Sequence, residues 1–344
     1  MKRPESLCIL RLSALGDVTH VLPVVHTLQK HWPETRITWI IGRFAHKLVG
    51  DLPGVEFVVF DKNKHLRAYG EVRKGLAGRR FDVLLCMQVA LRANLIIPLV
   101  SARRKIGFDR ARAKDGHSLF IGESIPSRKG QHVVDAFFSF LETAGLPEKQ
   151  LDWSVPIPES GEIFARRHIG SEGQVVIISP CASHPLRNWR AEYYGQVADH
   201  LQQKGLRVVL CGGPSEAEAA MGRQIEKSMR TDPFNLIGKD TLKDFLAMMK
   251  RAELLITPDS GPAHMANCVN LPVLGLYAAS NPKRSGPYQS IDLCVDAYDR
   301  ASRKFLKKPA AEIKWGKKIE FPGVMDLITP EMVMEKLDAI LDSP

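Results

Sequence analysis

The chain has 344 residues, of which 44% are apolar and 25% charged, and its formal net charge is +10. This length suits two domains better than one core, and no apolar stretch reaches the roughly 20 residues that a membrane-spanning helix needs. Six cysteines stand singly without a Cys-x-x-Cys pair, which excludes the usual zinc sites and indicates reduced core residues.

The positive charge is confined to one half of the chain. Residues 1–150 carry 24 Lys and Arg against 14 Asp and Glu, which accounts for the whole excess of +10 and leaves the remainder balanced. A basic half indicates an anionic partner, such as nucleic acid, phospholipid or a phosphorylated glycolipid. A solvated basic face without a partner is the alternative.

Short apolar strands alternate with amphipathic helices along both halves. In the first half we predict strands at 7–12, 37–41, 57–60, 83–86 and 105–108, and helices at 21–32, 44–50, 65–76, 90–100 and 132–145. In the second half we predict strands at 175–179, 207–210, 235–237, 254–257 and 273–277, and helices at 191–204, 216–229, 242–250 and 262–269. The alternation favours an α/β protein with two parallel sheets, each covered on both faces.

A proline-rich segment separates the two halves. The composition of residues 146–162 predicts a linker near 150–162, which places the first domain at 1–155 and the second at 163–325. A last amphipathic helix is predicted at 330–341.

The first predicted strand ends in a turn that contains a glycine and a carboxylate. Gly16 and Asp17 follow this strand at the point where nucleotide-binding α/β folds turn into their first helix. The turn has no G-x-G-x-x-G fingerprint, which disfavours a dinucleotide cofactor. We expect the Asp17 carboxylate to face a crevice beyond the sheet edge; a charge that only favours the helix start is the alternative.

A second strand-to-helix turn lies in the other half. An apolar run ends at Asp259-Ser260-Gly261-Pro262, and His264 follows. Asp259 or Ser260 can cap the helix, Gly261 allows a ligand to approach the backbone, and Pro262 suits the first turn. Free N–H groups at such a helix start can bind a phosphate. An ordinary strand-to-helix turn is the alternative.

Four sequence blocks carry a family resemblance through their common order. They are Ser13-x-x-Gly16-Asp17-x-x-His20, Arg187-Asn188-Trp189, Gly213-Pro214-Ser215-Glu216 and Asp259-Ser260-Gly261-Pro262-x-His264. Over most of its length the chain resembles the bacterial lipopolysaccharide heptosyltransferases of glycosyltransferase family nine. The resemblance implies the GT-B fold, in which two Rossmann-like domains with parallel sheets face a central cleft. It also implies that the closing helix, within residues 328–344, packs back on the N-terminal domain.

The resemblance implies that the C-terminal domain binds an ADP-heptose donor. The diphosphate would meet the amides of Ser260, Gly261 and Ala263, because Pro262 has no N–H group. The other donor-binding residues that it implies are Ser183 and Arg187 at phosphate, Glu216 at the ribose, Asp259 at heptose hydroxyls or in loop support, and His264. A surface salt bridge for Arg187, a helix-start role for Glu216 and a buried structural role for His264 are the alternatives.

The implied reaction is an inverting transfer of heptose to the inner core of lipopolysaccharide, at Kdo or heptose. The acceptor hydroxyl needs a general base, and Asp17 matches the base proposed for the family. The chain contains no Asp-x-Asp tripeptide, so we expect no metal ion and no other cofactor. The acceptor-binding residues that the resemblance indicates are Ser13, Gly16 and His20, with the loop cations Arg110, Arg112 and Lys114.

The expected partners are ADP-heptose, the anionic lipid A/Kdo acceptor and the inner membrane. The N-terminus shows no signal-peptide pattern, so we expect a cytoplasmic protein that binds peripherally to the inner face of that membrane. A basic cluster within residues 303–318, which includes Lys318, is expected to add attraction to the membrane surface, although nearby acidic residues dilute its charge.

Two alternative functions stay open at this level. One is a related GT-B glycosyltransferase that uses another nucleotide sugar, since the motifs do not define pocket selectivity. The other is a basic nucleic-acid-binding α/β protein, although no nucleic acid is expected because aromatic residues are only 7% and no RNP or zinc motif accompanies the cations.

Overall fold

The chain divides into two compact units, Met1–Pro156 and Ile157–Pro344. The structure is a computed structural model that describes residues 3–170, 174–231 and 233–342. The division falls inside the proline-rich segment 146–162. The roles assigned to the two domains stay predictions.

The first unit is built on a six-stranded parallel sheet with the order β3-β2-β1-β4-β5-β6. Its strands are β1 Ser6–Leu10, β2 Arg36–Gly42, β3 Val55–Phe60, β4 Phe81–Cys86, β5 Ala102–Gly107 and β6 Glu123–Ser124. Its helices are α1 Leu15–Thr19, α2 Leu22–His31, α3 Arg43–Val49, α4 Leu66–Gly75, α5 Leu91–Asn94 and α6 Val133–Ala144.

The second unit repeats this architecture with the order β12-β11-β10-β7-β8-β9. Its strands are β7 Val175–Ile178, β8 Arg207–Leu210, β9 Phe234–Asn235, β10 Leu254–Pro258, β11 Val273–Tyr277 and β12 Val295–Asp296. Its helices are α7 Glu159–Ile169, α8 Ala191–Gln203, α9 Glu216–Ser228, α10 Leu242–Met249, α11 Gly261–Met265, α12 Pro282–Ser285, α13 Tyr298–Ala301 and α14 Pro330–Leu341.

The central strands are apolar because helices cover both faces of each sheet. Strands β1, β7, β10 and β11 are buried along their whole length, as expected for parallel strands. In both units the chain runs from the sheet centre to one edge and then to the other, so the first and fourth strands are neighbours. These two Rossmann-like sheets confirm the predicted α/β class, and ligands of such sheets bind beyond the carboxyl ends of the strands at this switch point.

Helix ends follow local capping chemistry. His132 caps α6 because its Nδ1 accepts a hydrogen bond from the Val134 amide, and α6 stops at Gly145, whose φ is 107°. Thr241 and Asp244 form a reciprocal capping box at the start of α10. Thr329 caps α14, with Pro330 in its first turn.

Helix α14 packs within the second unit, since its buried residues Val333 and Leu337 belong to the core of that unit. The packing of this helix on the N-terminal domain, which the family resemblance implies, stays a prediction. Asp338 lies 2.7 Å from Nε2 of His200 on α8, which ties the two helices together. The predicted apolar stripe is present, and α8 is one of the elements that it packs against.

Other differences have local causes. The segment predicted as linker contains the start of α7, which Pro158 precedes. The helix predicted at 90–100 is limited to α5 and a 3₁₀ turn, Ile97–Leu99, because Pro98 cannot continue an α-helix. Among the described residues, no helix is both long enough and apolar enough to cross a bilayer.

Candidate active site

The sequence-predicted site residues lie at the carboxyl ends of the strands in both units. In the first unit, residues 13–17 follow β1 and Gln88 follows β4, the two strands that flank the switch point. In the second unit, residues 179–187 follow β7 and residues 259–264 follow β10. Each unit therefore presents polar side chains where ligands of such sheets bind.

Asp17 lies in the short helix α1, and its carboxylate is held from one side. Oδ2 forms an ion pair with Arg11 and accepts a hydrogen bond from the Ala14 amide at 3.3 Å. The guanidinium of Arg11 is buried, stacks on Phe137 and donates from Nη1 to the Met87 carbonyl at 2.5 Å. Burial lowers the pKa of Arg11, and the charge of Asp17 opposes that effect. Because both contacts use Oδ2, Oδ1 is the oxygen that remains for a substrate.

The other predicted residues of this turn differ in their exposure to solvent. Ser13 is partly exposed, and its hydroxyl accepts from Nε2 of Gln88 at 3.4 Å. Oε1 of Gln88 accepts from the Leu12 amide at 2.8 Å, so Gln88 supports the turn from β4. Gly16 is buried in α1, and His20 is 1% exposed and lies edge-on to His132. The ring of His20 is buried within its own unit, so a contact with an acceptor stays a prediction that would require the ring to become accessible.

The three predicted cations of the loop after β5 differ in their exposure and contacts. Arg110 and Lys114 are exposed, as the prediction of acceptor contacts requires. Arg112 instead holds the loop together: Nε pairs with Asp109, and Nη2 donates to the Pro126 carbonyl at 2.9 Å. An acceptor contact of Arg112 stays a prediction, and it would require the guanidinium to exchange one of these partners.

A buried histidine anchors the same loop. Nε2 of His117 accepts from the Phe108 amide at 3.0 Å, so the ring is neutral and Nδ1 donates to Oδ1 of Asn94 at 2.8 Å. The Asn94 amide group donates in turn to the carbonyls of Lys114 and Asp115. Burial lowers the pKa of His117 below its ordinary value of 6.5.

This neutral histidine predicts a pH dependence of stability. A histidine with a lowered pKa contributes stability above its ordinary pKa, and that contribution is lost as the pH falls through roughly 6.5 towards the folded value. We expect the free energy of unfolding to fall more steeply with acidification in the wild type than in His117→Gln, measured by urea titration. Exposed His31 provides the control, since His31→Gln should keep the wild-type slope. Equal slopes for all three proteins would remove His117 as the cause.

The helix start after β10 combines a buried carboxylate with two cations. Oδ2 of Asp259 forms an ion pair with Lys318 and lies 3.7 Å from Nη1 of Arg187. Arg187 is held by Glu320, whose Oε1 accepts from Nε at 2.8 Å and from Nη2 at 2.7 Å. We call Arg187, Asp259, Lys318 and Glu320 the charge quartet; its formal charges cancel.

Two members of the charge quartet, Asp259 and Lys318, have shifted pKa values. Burial raises the pKa of Asp259, but the charges of Lys318 and His264 and the hydrogen bonds from Lys318 and Ser280 outweigh it, so the pKa lies below its ordinary value. Burial lowers the pKa of Lys318, and Asp259 opposes that effect. The expectation that Lys318 attracts a membrane surface is therefore wrong, because this side chain is committed to Asp259.

The remaining residues of this turn are largely buried. The Ser260 hydroxyl lies 2.8 Å from that of Thr257, which donates to the Ser179 carbonyl. Gly261 is partly exposed in the first turn of α11, and Pro262 follows it. Ala263 and His264 are buried in α11. His264 is close enough to Asp259 to influence its charge, and its side chain is buried in the second unit.

The loop after β7 is ordered by its own motif. Oδ1 of Asn188 accepts from the Ala182 amide at 2.7 Å, and Nε1 of Trp189 donates to the Ile328 carbonyl at 2.9 Å. These contacts hold residues 182–189 while leaving Ser183 exposed. Ser183 is thus accessible to a phosphate, as its predicted role requires.

Two glutamates follow the glycine turn after β8 and differ in their surroundings. The Glu216 side chain is 83% exposed and pairs with Arg223. Glu218 points back at the turn, since Oε2 accepts from the Gly213 amide at 2.6 Å and Oε1 from the Ser215 hydroxyl at 3.2 Å. A contact of Glu216 with ribose would require it to leave Arg223, which costs little at an exposed position.

An unusual carboxyl group neighbours this turn. The Gly238 amide donates to the Gly212 carbonyl at 2.9 Å, which brings the segment before Asp240 to the turn. Burial raises the pKa of Asp240 to about 7, an effect that a backbone hydrogen bond reduces and the charges of Asp244 and Glu218 reinforce. Shifted carboxyl groups of this kind are frequent at functional sites.

The described ranges hold no cluster of three or more His, Cys, Asp or Glu residues that could bind a metal ion.

Comparison with known proteins identifies the family. A family model described as glycosyltransferase family 9 (heptosyltransferase) matches residues 69–315. The lipopolysaccharide core heptosyltransferase OpsX of Haemophilus influenzae is 35% identical over 334 residues, which cover 97% of this chain and 96% of that protein. The chain belongs to glycosyltransferase family 9.

Solved structures of other family members agree with the fold. The family 9 glycosyl transferase of Veillonella parvula matches with a TM-score of 0.80 and 24% identity over 98% of both chains. The Escherichia coli heptosyltransferase WaaC, solved with ADP-2-deoxy-2-fluoro heptose, matches with a TM-score of 0.67 and 18% identity over 88% of this chain and 99% of that chain. These similarities confirm the predicted GT-B fold class. The family model and the 35% identical relative confirm that the chain is a glycosyltransferase of the heptosyltransferase family.

Three residues of this family 9 glycosyltransferase were missed in the sequence. Lys318 and Glu320 lie 59 and 61 positions beyond Asp259, in a basic stretch that resembles an ordinary charged surface. Gln88 carries no motif at all, although its position directly after an apolar strand was a usable signal. Buried Ile319 between Lys318 and Glu320 was the other signal, because it indicates a segment that packs against its unit.

Proposed function

We propose that this chain transfers heptose from ADP-heptose to the inner core of lipopolysaccharide, with inversion and without a metal ion. The observation that carries the proposal is the charge quartet beside the Asp259–His264 helix start, at the switch point of the second sheet. The names of the relatives support the sugar and the acceptor: one is a lipopolysaccharide core heptosyltransferase, and another was solved with an ADP-heptose analogue.

The donor diphosphate would bind to the second unit. Nη1 of Arg187 is 3.7 Å from Asp259, longer than a hydrogen bond, so this nitrogen can turn to a phosphate oxygen while Glu320 holds the rest of the guanidinium. The amides of Ser260, Gly261 and Ala263 would supply further donors. Lys318 neutralises Asp259, which removes the repulsion that a carboxylate would otherwise exert on the diphosphate.

The acceptor would bind to the first unit, where Asp17 acts as the base. Oδ1 of Asp17 takes the proton of the acceptor hydroxyl as that oxygen bonds to the anomeric carbon. The bond from this carbon to the β-phosphate oxygen breaks, and its electron pair leaves with ADP. Arg187 and the helix-start amides stabilise the charge that grows on the leaving group. Ser13, Gly16, Arg110 and Lys114 would position the anionic acceptor.

The donor assignment is tested by thermal-shift measurements with ADP, UDP, GDP and NAD. Only a ligand that binds the folded state raises the melting temperature, and we expect ADP alone to do so. Stabilisation by UDP and not by ADP would overturn the donor and favour a related enzyme for another nucleotide sugar. Transfer to defined core acceptors, followed by mass spectrometry with and without EDTA, tests the acceptor and metal independence.

The two glutamates of the glycine turn give a matched pair of variants. We expect Glu216→Gln to weaken ADP binding about tenfold, because a charged acceptor for the ribose hydroxyls is lost, while the melting temperature stays unchanged at this exposed position. Glu218→Gln should lower the melting temperature, since the Gly213 amide and Ser215 hydroxyl lose their charged partner. Calorimetric titration and thermal melts provide both readouts. Wild-type ADP affinity in Glu216→Gln would exclude the ribose contact.

We propose that the protein binds peripherally to the inner face of the inner membrane, where it would reach the lipid-linked acceptor. The basic first half, with 24 Lys and Arg against 14 Asp and Glu in residues 1–150, supports peripheral binding to such a surface.

A further inference from the structure

Large apolar side chains are exposed along one edge of the first sheet. In the described part of the first unit, the exposed ones are Phe44 (61%), Leu66 (85%), Leu91 (57%), Leu95 (45%), Leu119 (84%) and Leu151 (50%). All of them except Leu151 lie in the connections that follow β2, β3, β4 and β5. Single exposed apolar residues are common, but here they are concentrated at one place in the fold.

The parallel sheet brings these connections together. Strands β2 to β5 all run in one direction, so the connections after them begin at the same, carboxyl, edge. Leu66 and Leu91 are the first residues of α4 and α5, and Phe44 is the second residue of α3. The Leu91 amide donates to Oδ2 of Asp115 at 3.0 Å, which joins α5 to the loop that carries Leu119.

Cations accompany four of these apolar side chains. Arg43, Arg67 and Arg92 are exposed neighbours in sequence of Phe44, Leu66 and Leu91, and Lys114 is exposed in the loop that leads to Leu119. Apolar side chains interspersed with Lys and Arg are the composition that enters the boundary between headgroups and acyl chains, where the cations attract anionic lipid.

We propose that this edge docks on the surface of a bilayer that contains anionic lipid, with Phe44, Leu66, Leu91, Leu95 and Leu119 entering the headgroup region. We call these five residues the apolar edge. The inference deepens the proposed function and rests on it in one respect, namely that the acceptor is a lipid. The charge distribution favours the bilayer over a second copy of this chain, because two copies would bring equally basic first units together.

The docked orientation would also place the base. The sheet order β3-β2-β1-β4-β5 puts the turn after β1, which carries Asp17, between the connection after β2 and the connection after β4. Phe44 and Leu91 therefore flank Asp17 along the edge. Docking would hold this carboxylate at headgroup level, where the core sugars of a membrane-anchored acceptor lie.

The test is co-sedimentation of the full chain with vesicles of phosphatidylglycerol and phosphatidylethanolamine, compared with vesicles of phosphatidylcholine alone. We expect binding to the anionic vesicles, and we expect Leu66→Ser/Leu119→Ser to lower the partition coefficient by about tenfold or more, because two apolar side chains no longer leave water. Matched controls are Leu151→Ser and Ile163→Ser. Both residues are exposed, but neither lies in the connections after β2 to β5, so each variant should bind like the wild type.

Three outcomes would overturn the inference. They are unchanged vesicle binding by the double variant, an equal loss in the control variants, and a dimer in sedimentation velocity that the double variant abolishes while vesicle binding is kept. Transfer to a deacylated, water-soluble acceptor separates this inference from the proposed function. We expect the double variant to keep wild-type turnover there, and a loss of turnover would instead assign the apolar edge to the sugar-binding site. If the wild-type protein docks on vesicles but transfers no heptose, the proposed function fails and the docking surface stands.

Discussion

Asp17→Asn is expected to lower turnover by about 10²–10⁴-fold, the range that follows the loss of an acid–base group. Asparagine keeps the size of the side chain and an oxygen that can accept from Arg11 and the Ala14 amide, so the turn after β1 should keep its geometry. What disappears is the carboxylate that we propose takes the acceptor proton. Steady-state kinetics with ADP-heptose should show the loss in kcat, with little change in the KM of the donor.

Two measurements keep this result interpretable. ADP affinity of Asp17→Asn should equal that of the wild type, because the proposed donor contacts lie in the second unit. The melting temperature reports any damage to the buried Arg11, which loses a charged partner. Turnover near the wild-type rate in folded Asp17→Asn protein would remove Asp17 from the role of base.

Lys318→Met is expected to lower the free energy of unfolding of the second unit by about 3 kcal/mol, the lower end of the range for breaking a buried ion pair. The variant leaves the Asp259 carboxylate in a buried place without its nearest cation. Arg187 remains 3.7 Å away and limits the loss. Urea unfolding, followed by a probe in the second unit, measures the change.

The neighbouring lysine provides a matched control for this experiment. Lys317 is exposed, so Lys317→Met should stay within about 0.5 kcal/mol of the wild type. Adding Asp259→Asn to Lys318→Met should restore part of the lost stability, since the unpaired buried charge is then removed. If Lys318→Met and Lys317→Met are equally stable, Lys318 does not hold Asp259 in solution.

The architecture was predictable because its signals are local. Apolar runs such as residues 254–257 and 273–277, separated by segments of helical periodicity, favour buried parallel strands, and the structure has β10 and β11 there. The two-residue strands β6 and β12 were missed because so short a run carries no periodicity. Helix α14 was predicted from its apolar stripe, but the sequence does not indicate that this stripe packs against α8.

The site was predictable only where a motif marks a strand end. Asp17 and Asp259 could be found because each follows an apolar strand and precedes a helix. The contacts of nearby cations could not be predicted. Lys318 pairs with Asp259 from 59 residues away in the sequence, and Arg112 binds within its own loop. Long-range ion pairs have no characteristic spacing in the sequence. A cation that forms such a pair therefore cannot be distinguished in the sequence from one that is exposed to solvent.

The charge quartet has a consequence for the catalytic cycle. If the quartet binds the donor as proposed, an arriving diphosphate would exchange partners with charges that are satisfied in its absence, since the two cations and two carboxylates already cancel. After ADP leaves, Arg187 would return towards Asp259 while Glu320 still holds it. The second unit would then leave no buried charge unpaired at any stage, which favours repeated turnover over tight retention of ADP.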